Sequence, residues 1–370
     1  MNPLKQLHPH GQSPWLDDLQ RRLVAGGGLR RLVEDDGIAG VTSNPSILEK
    51  AIAGSEDYRA DIDRLRRRGL AAQAVYEQLA IEDVRAAADV LRGVYDASGR
   101  RDGYVSLEVS PHLARDAART VEDARRLWRA VDRPNLMIKV PATPEGIPAV
   151  EALLAEGINV NVTLLFSLQA YLAAAAAHRA ALARRLAAGA DLGHVASVAS
   201  FFVSRVDTHV DSALEQRAAR EPALREHLLS LRGKAAVANA RLAYRLYRGF
   251  TGSRDWQRLA RAGAQPQRLL WASTSTKNPE YRDVLYVESL IGANTITTLP
   301  MATIDAFRDH GSAHATLAGN DAGAHAHMLE LAAAGVDYAA TTAALLDEGL
   351  RLFTCAYDAL LAAVSQARAA

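Results

Sequence analysis

Leu136-Met137-Ile138-Lys139-Val140-Pro141-Ala142-Thr143 is a short apolar run interrupted by a single charge. A strand covered on both faces has near-continuous apolar character, and an unpaired ammonium inside one is costly. Lys139 therefore needs a reason to be there. The need is sharper because the 370-residue chain has only five lysines, Lys5, Lys50, Lys139, Lys234 and Lys277, among 43 basic residues.

Working outward, the same unit recurs: a short apolar run, a polar residue at its end, then a helix. Upstream lie Pro14-Trp15-Leu16-Asp17, Ile38-Ala39-Gly40-Val41-Thr42-Ser43-Asn44 and Tyr104-Val105-Ser106-Leu107-Glu108-Val109. Downstream lie Ile158-Asn159-Val160-Asn161-Val162-Thr163, Val195 to Ser200, Leu269 to Ser273 and Ala293 to Leu299. Gly26-Gly27-Gly28 lacks the spacing and preceding strand of a dinucleotide loop and is expected to be a loop or a helix break. Thr143-Pro144-Glu145 predicts a helix start and Gly157 its stop. Eight strands alternating with helices, without a composition break, predict a single α/β domain over 1–370, a (β/α)8 TIM barrel with extra helices. A helical insertion is expected at about 206–259 and a C-terminal helix at about 336–366. A doubly wound open sheet is the alternative.

The barrel reading has a chemical consequence. Catalytic residues of such barrels come from the C-terminal ends of different strands. Asp17, Asn44, Glu108, Lys139, Thr163, Ser200 and Ser273 all fall there. Asn161 and Thr163 are two apart and share a strand face, the interior near the mouth. A lysine among carboxylates points to nucleophilic attack of a free amine on a carbonyl; the plainer alternative is a lysine whose charge simply pairs with Glu108 or Asp17. Phosphate recognition is the second theme. Ser200-Phe201-Phe202-Val203-Ser204-Arg205 leaves a strand and sets an arginine at a helix start, a combination suited to phosphate. Ser273-Thr274-Ser275-Thr276-Lys277 repeats the idea one strand later.

Bulk properties bound the rest. A net charge of +1 argues against a generic polyanion binder such as a nucleic-acid protein, and the arginine-rich stretch at 64–68 is expected to be a solvated helix face. Cys355 is the sole cysteine, so no internal disulfide is expected; its helical apolar setting predicts a core position. No run approaches the ~18 apolar residues of a membrane span, and residues 1–14 lack a signal-peptide core, so a cytoplasmic location is expected. His310, His314, His325 and His327 lack a zinc-type ligand pattern.

These motifs together resemble the transaldolase family: Gly40-Val41-Thr42-Ser43-Asn44-Pro45-Ser46, Val105 to Val109, Ile138 to Thr143, Asn161-Val162-Thr163-Leu164-Leu165-Phe166-Ser167 and Phe202-Val203-Ser204-Arg205, in the family's order. The resemblance implies a barrel without cofactor or metal that transfers a dihydroxyacetone unit between sugar phosphates in the non-oxidative pentose phosphate pathway. It implies that Lys139 is the Schiff-base lysine and that Asp17 moves the C4 hydroxyl proton, with the choice between Asp17 and Asp18 depending on strand register. It makes Glu108, with a water and Thr163, the relay for imine formation and hydrolysis. Asn44, Asn161 and Ser200 would bind hydroxyls, with Phe202 and Ser273 beside them, and Arg205 would bind phosphate. Lys277 stands where the best-known branch has a second arginine. The related fructose 6-phosphate aldolase type, which releases free dihydroxyacetone, is shorter, carries a tyrosine where this chain has Phe202, and has no match for Glu108. A non-catalytic sugar-phosphate-binding barrel is the alternative from another class. Relatives are often dimers, so a homodimer is a further expectation of the resemblance.

Overall fold

All eight strands pair in parallel and in sequence order, and the last returns to the first, so the sheet is a closed barrel. The open-sheet alternative is thereby excluded. The computed structural model describes residues 2–53 and 55–366. The strands are β1 (Gln12–Asp17), β2 (Gly40–Thr42), β3 (Tyr104–Glu108), β4 (Leu136–Pro141), β5 (Val160–Leu165), β6 (Ser197–Phe202), β7 (Arg268–Ala272) and β8 (Thr295–Leu299). Each coincides with one of the apolar runs. They are buried almost throughout, as expected of strands walled by helices outside and by each other's side chains inside.

Polar residues at the barrel floor extend two strands beyond their apolar cores. Gln12 and Ser13 begin β1 and Arg268 begins β7, and all three are buried. They are tolerated there because they are paired. Arg268 donates to Asp102 at 2.8 Å and to Ser13 Oγ at 3.0 Å, and Ser13 in turn donates to Asp102 at 2.8 Å. The Trp15 indole N–H also reaches Asp102, at 3.2 Å. This network plugs the floor, at the end of the strands opposite the polar mouth.

Local signals place the helices. The glycine pair Gly26-Gly27 separates Arg21–Ala25 from Gly28–Asp36, with Gly27 at φ 72°. Thr143 Oγ1 accepts the Gly146 N–H at 2.8 Å, and Gly157 at φ 93° ends the helix Gly146–Glu156. Between β6 and β7 lie the helices Ser204–Arg220, Arg225–Ser230, Ala235–Thr251 and Arg254–Arg261. The last helix, Tyr338–Gln366, buries Leu345, Leu350, Phe353, Tyr357, Leu360 and Val364 at three-to-four spacing. Cys355 is on this helix but exposed, which corrects the core assignment. It is two residues from both Phe353 and Tyr357, so it sits about 200° around the helix from each. No single helix among the described residues is long and apolar enough to cross a membrane.

Candidate active site

Register decides which side chains meet at the mouth. Lys139 on β4 is directly opposite Glu108 on β3 and Asn161 on β5, and Pro141 is opposite Thr163. Side chains opposite one another in a ladder point the same way, so Glu108, Lys139 and Asn161 form one inward layer, with Thr163 two residues further up β5.

Within that layer Lys139 is 4% exposed. Its Nζ donates to the Ser43 carbonyl at 3.0 Å and lies 3.6 Å from Glu108 Oε2. That second contact is an ion pair longer than a hydrogen bond, and neither Glu108 oxygen has a hydrogen-bond partner. Burial pushes the Glu108 carboxyl up to about 7, against the opposing pull of Lys139. Thr163 Oγ1 is also buried without a partner. Buried polar atoms are ordinarily paired, so this cluster keeps unused bonding capacity beside the amine. The C-terminal helix adds Phe353, whose ring centre is 5.9 Å from Lys139 Nζ.

Asn161 is the centre of a short relay. It donates to Ser106 Oγ at 3.0 Å and accepts from Ser200 Oγ at 2.6 Å. These bonds fix which end of the amide is the acceptor, so Asn161 presents a set orientation to the barrel interior. Asn44 follows β2, and its Oδ1 accepts the Ile47 N–H at 3.0 Å, capping the helix Pro45–Ala53. Thr163 precedes Leu164, which has φ 60°, and the β5–β6 register shifts between Val162 and Leu165. The end of β5 is thus bent where Thr163 must be aimed.

Asp17, Asn44, Lys139, Ser200, Arg205 and Lys277 open onto one polar cavity of about 430 Å3, together with Phe202 and Ser273. Asp17 ends β1, and its carboxyl is raised by burial, countered first by Lys139 and also by Lys277 and Arg205. Asp18 also reaches this cavity, but its carboxylate accepts from Gln20 Nε2 at 2.8 Å. The strand register thus puts Asp17, rather than Asp18, under the influence of the amine. Phe202 packs against Phe166 with ring centres 5.0 Å apart, and the Arg205 guanidinium lies 5.4 Å from its ring centre. Arg205 Nη1 is buried without a partner, and burial lowers the Arg205 pKa. Ser273, at φ 57°, exchanges a 2.9 Å hydrogen bond with Ser204 at the start of the Arg205 helix. Lys277 Nζ donates to Ser275 Oγ at 2.8 Å. Glu108, Asn161 and Thr163 do not line that cavity; they are buried, Glu108 beside Lys139 and Asn161 bonded to Ser200.

Three contributors were not foreseen as site residues. Ser43 supplies the carbonyl that holds the amine, Phe353 roofs it, and Lys50 lines the cavity from the helix after β2. Ser43 lies inside a recognised motif and Lys50 four residues beyond it, and the lysine count was the available signal for Lys50. Three of the five lysines in the chain face this one cavity. No group of three or more His, Cys, Asp or Glu among the described residues is arranged to hold a metal ion.

Comparison with known proteins bears on the same residues. A family model described as Transaldolase/Fructose-6-phosphate aldolase matches residues 14–364. The transaldolase of Thiobacillus denitrificans is 50% identical over 364 residues, covering 98% of this chain and 100% of that protein. The transaldolase of Thermobifida fusca is 48% identical over 370 residues, covering 100% of this chain and 99% of that protein. Transaldolase 2 of Nostoc sp. is 50% identical over 313 residues, 84% of this chain and 82% of that protein. With eight strands closed around a buried lysine and a match that runs from β1 to the C-terminal helix, the chain belongs to the transaldolase/fructose-6-phosphate aldolase family.

Proposed function

We infer that this chain carries out the transaldolase reaction: it moves a dihydroxyacetone unit from sedoheptulose 7-phosphate to glyceraldehyde 3-phosphate, giving erythrose 4-phosphate and fructose 6-phosphate. The observation that carries the mechanism is the buried Lys139 amine beside a Glu108 carboxyl that has no hydrogen-bond partner of its own.

In this reading the Lys139 amine attacks the C2 ketone of the donor and forms a carbinolamine. Glu108, acting through a water held with Thr163, gives a proton to the departing hydroxyl, which leaves as water. The protonated imine is an electron sink. Asp17 takes the proton of the C4 hydroxyl, the C3–C4 bond breaks, its electron pair enters the imine to give an enamine, and C4 becomes the aldehyde carbon of the leaving product. The acceptor aldehyde then binds and is attacked by the enamine, and Asp17 returns its proton to the new alkoxide. Water adds to the imine with Glu108 as base and frees Lys139. Asn44, Asn161 and Ser200 hold the hydroxyls of the dihydroxyacetone part, with Phe202 and Ser273 shaping the cavity around it. Arg205 and Lys277 hold the phosphate.

Phe202 favours transfer over release. Protonation of the enamine would free dihydroxyacetone, and a phenylalanine ring has no proton to give. Phe202 lines the cavity with its ring backed by Phe166, so it sets an apolar wall there.

Borohydride reduction in the presence of fructose 6-phosphate tests the reading. A stable adduct is expected on the peptide that carries Lys139, and Lys139→Met is expected to form none and to lose transfer. Transfer retained by Lys139→Met would move the amine chemistry elsewhere.

A further inference from the structure

Lys50 has no role in the chemistry above, yet it opens onto the same cavity. It is carried by the helix Pro45–Ala53, which Asn44 caps directly after β2. Ser46 and Lys50 are four residues apart, so they share a helix face, and both line the cavity. Across the mouth stand Arg205 and Lys277. Lys277 is near enough to feel both other cations: burial lowers its pKa first, then Arg205, Asp17 opposes them, and Lys50 adds a smaller lowering.

Besides Lys139, three cations therefore line one cavity, and none of these three forms an ion pair among the described residues. Elsewhere the chain pairs its arginines freely with carboxylates, as at Arg126 and Arg308. Crowded like charges raise the energy of the unliganded site and are relieved by an anion that bonds to all of them. The three also differ in kind. Arg205 is a planar fork, buried at one Nη, whereas Lys50 and Lys277 are point charges on flexible stems at the rim.

We propose that Lys50 is a third phosphate-binding cation, which closes on the substrate phosphate from the β2 side and sets the preference of the site for phosphorylated over neutral sugars. The proposal rests on the sugar-phosphate reading above and adds a residue and a reason to it. Counted from the C2 carbon bound to Lys139, the phosphates of a heptulose 7-phosphate and a hexulose 6-phosphate differ in reach by one carbon–carbon bond, about 1.5 Å. The half-buried Arg205 guanidinium has less room to follow that displacement than the two exposed lysine stems.

The test compares wild type with Lys50→Gln and Lys50→Arg. Turnover is measured with fructose 6-phosphate and with unphosphorylated fructose as donor, and binding of inorganic phosphate is followed by calorimetry at low salt. In Lys50→Gln the KM for fructose 6-phosphate is expected to rise about tenfold, the size of one charge-assisted hydrogen bond, with kcat held and kcat/KM for fructose unchanged. Phosphate affinity falls in parallel, and Lys50→Arg restores most of both. An unchanged KM and phosphate affinity in Lys50→Gln overturns the proposal, as does an equal loss on fructose. Should wild type give neither a borohydride adduct nor turnover, the transfer reading fails, and the phosphate titration alone still decides the role of Lys50.

Discussion

Glu108 Oε2 and Lys139 Nζ lie 3.6 Å apart on neighbouring strands, both side chains buried, and the carboxylate has no hydrogen bond to hold its charge. An ion pair placed this way is a poor structural clamp, since desolvation of both groups offsets most of the attraction. It suits a proton carrier, because neither protonation state is locked.

The pH dependence of Glu108 follows. Its carboxyl rises from an ordinary 4.5 to about 7 through burial, only partly opposed by Lys139. The neutral form is therefore favoured by folding, so its contribution to stability is full below pH 4.5 and is lost as pH rises through 7. The rate of imine formation, followed by rapid borohydride quench, is expected to fall as pH rises through about 7. Glu108→Gln should be slow at every pH and lack that step. In urea unfolding, any stability advantage of wild type over Glu108→Gln should shrink between pH 4.5 and 7.

Substitution of Asp17 and of Asp18 tests whether cleavage and imine formation are separable. Asp17→Asn should lower transfer by at least about 10²-fold, the usual scale of general acid–base assistance, while borohydride still labels Lys139. Asp18→Asn should turn over close to the wild-type rate, because the Asp18 carboxylate is turned to Gln20. Loss of both labelling and transfer in Asp17→Asn would instead assign that residue to imine formation.

Phe202→Tyr adds a hydroxyl to a ring that packs between Phe166 and Arg205. Free dihydroxyacetone, assayed enzymatically with fructose 6-phosphate alone, is expected to rise at least about tenfold, as for a newly available proton donor. Transfer to erythrose 4-phosphate should fall in step. A variant that releases no more dihydroxyacetone than wild type would mean that another feature protects the enamine.

The floor of the barrel offers a stability test remote from chemistry. Burial alone would raise the Asp102 carboxyl, but Arg268, Ser13 and Trp15 override it and hold it below the ordinary carboxylate value. Its contribution is present above the unfolded carboxylate value and is lost as pH falls through the folded one. Asp102→Ala strands the Arg268 charge and should cost about 3–5 kcal/mol in denaturant unfolding. The fraction that stays folded is expected to keep the wild-type KM.

Much of this architecture was legible in the residues because barrel strands buried on both faces are read from apolar runs, and all eight runs became strands. Strand parity placed Asn161 and Thr163 on one face, and the Glu108–Lys139–Asn161 layer followed once register was known. Register itself was not legible, so the choice between Asp17 and Asp18 followed only from the fold. The polar strand starts Gln12, Ser13 and Arg268 were missed because their partners are remote in sequence, as for Ser13 and Asp102. Cys355 was misplaced because an alanine-rich helix blurs the boundary of its apolar stripe, and two residues of phase decide burial. Lys50 and Phe353 escaped because both lie within helices, where residue spacing reports packing and not which residue reaches the barrel mouth.

The closure of the barrel has a consequence for how the enzyme is made. β1 pairs with β8, and Gln12 bonds Thr295 across 283 residues of chain. Long-range parallel pairing of this kind forms late. During synthesis the strand bearing Asp17 waits half-paired while Lys139 emerges, and Phe353 comes last of all. A nascent chain thus carries Lys139 long before Asp17 and Phe353 are fixed around it. The pocket around the amine is therefore complete only once the two ends of the barrel have met.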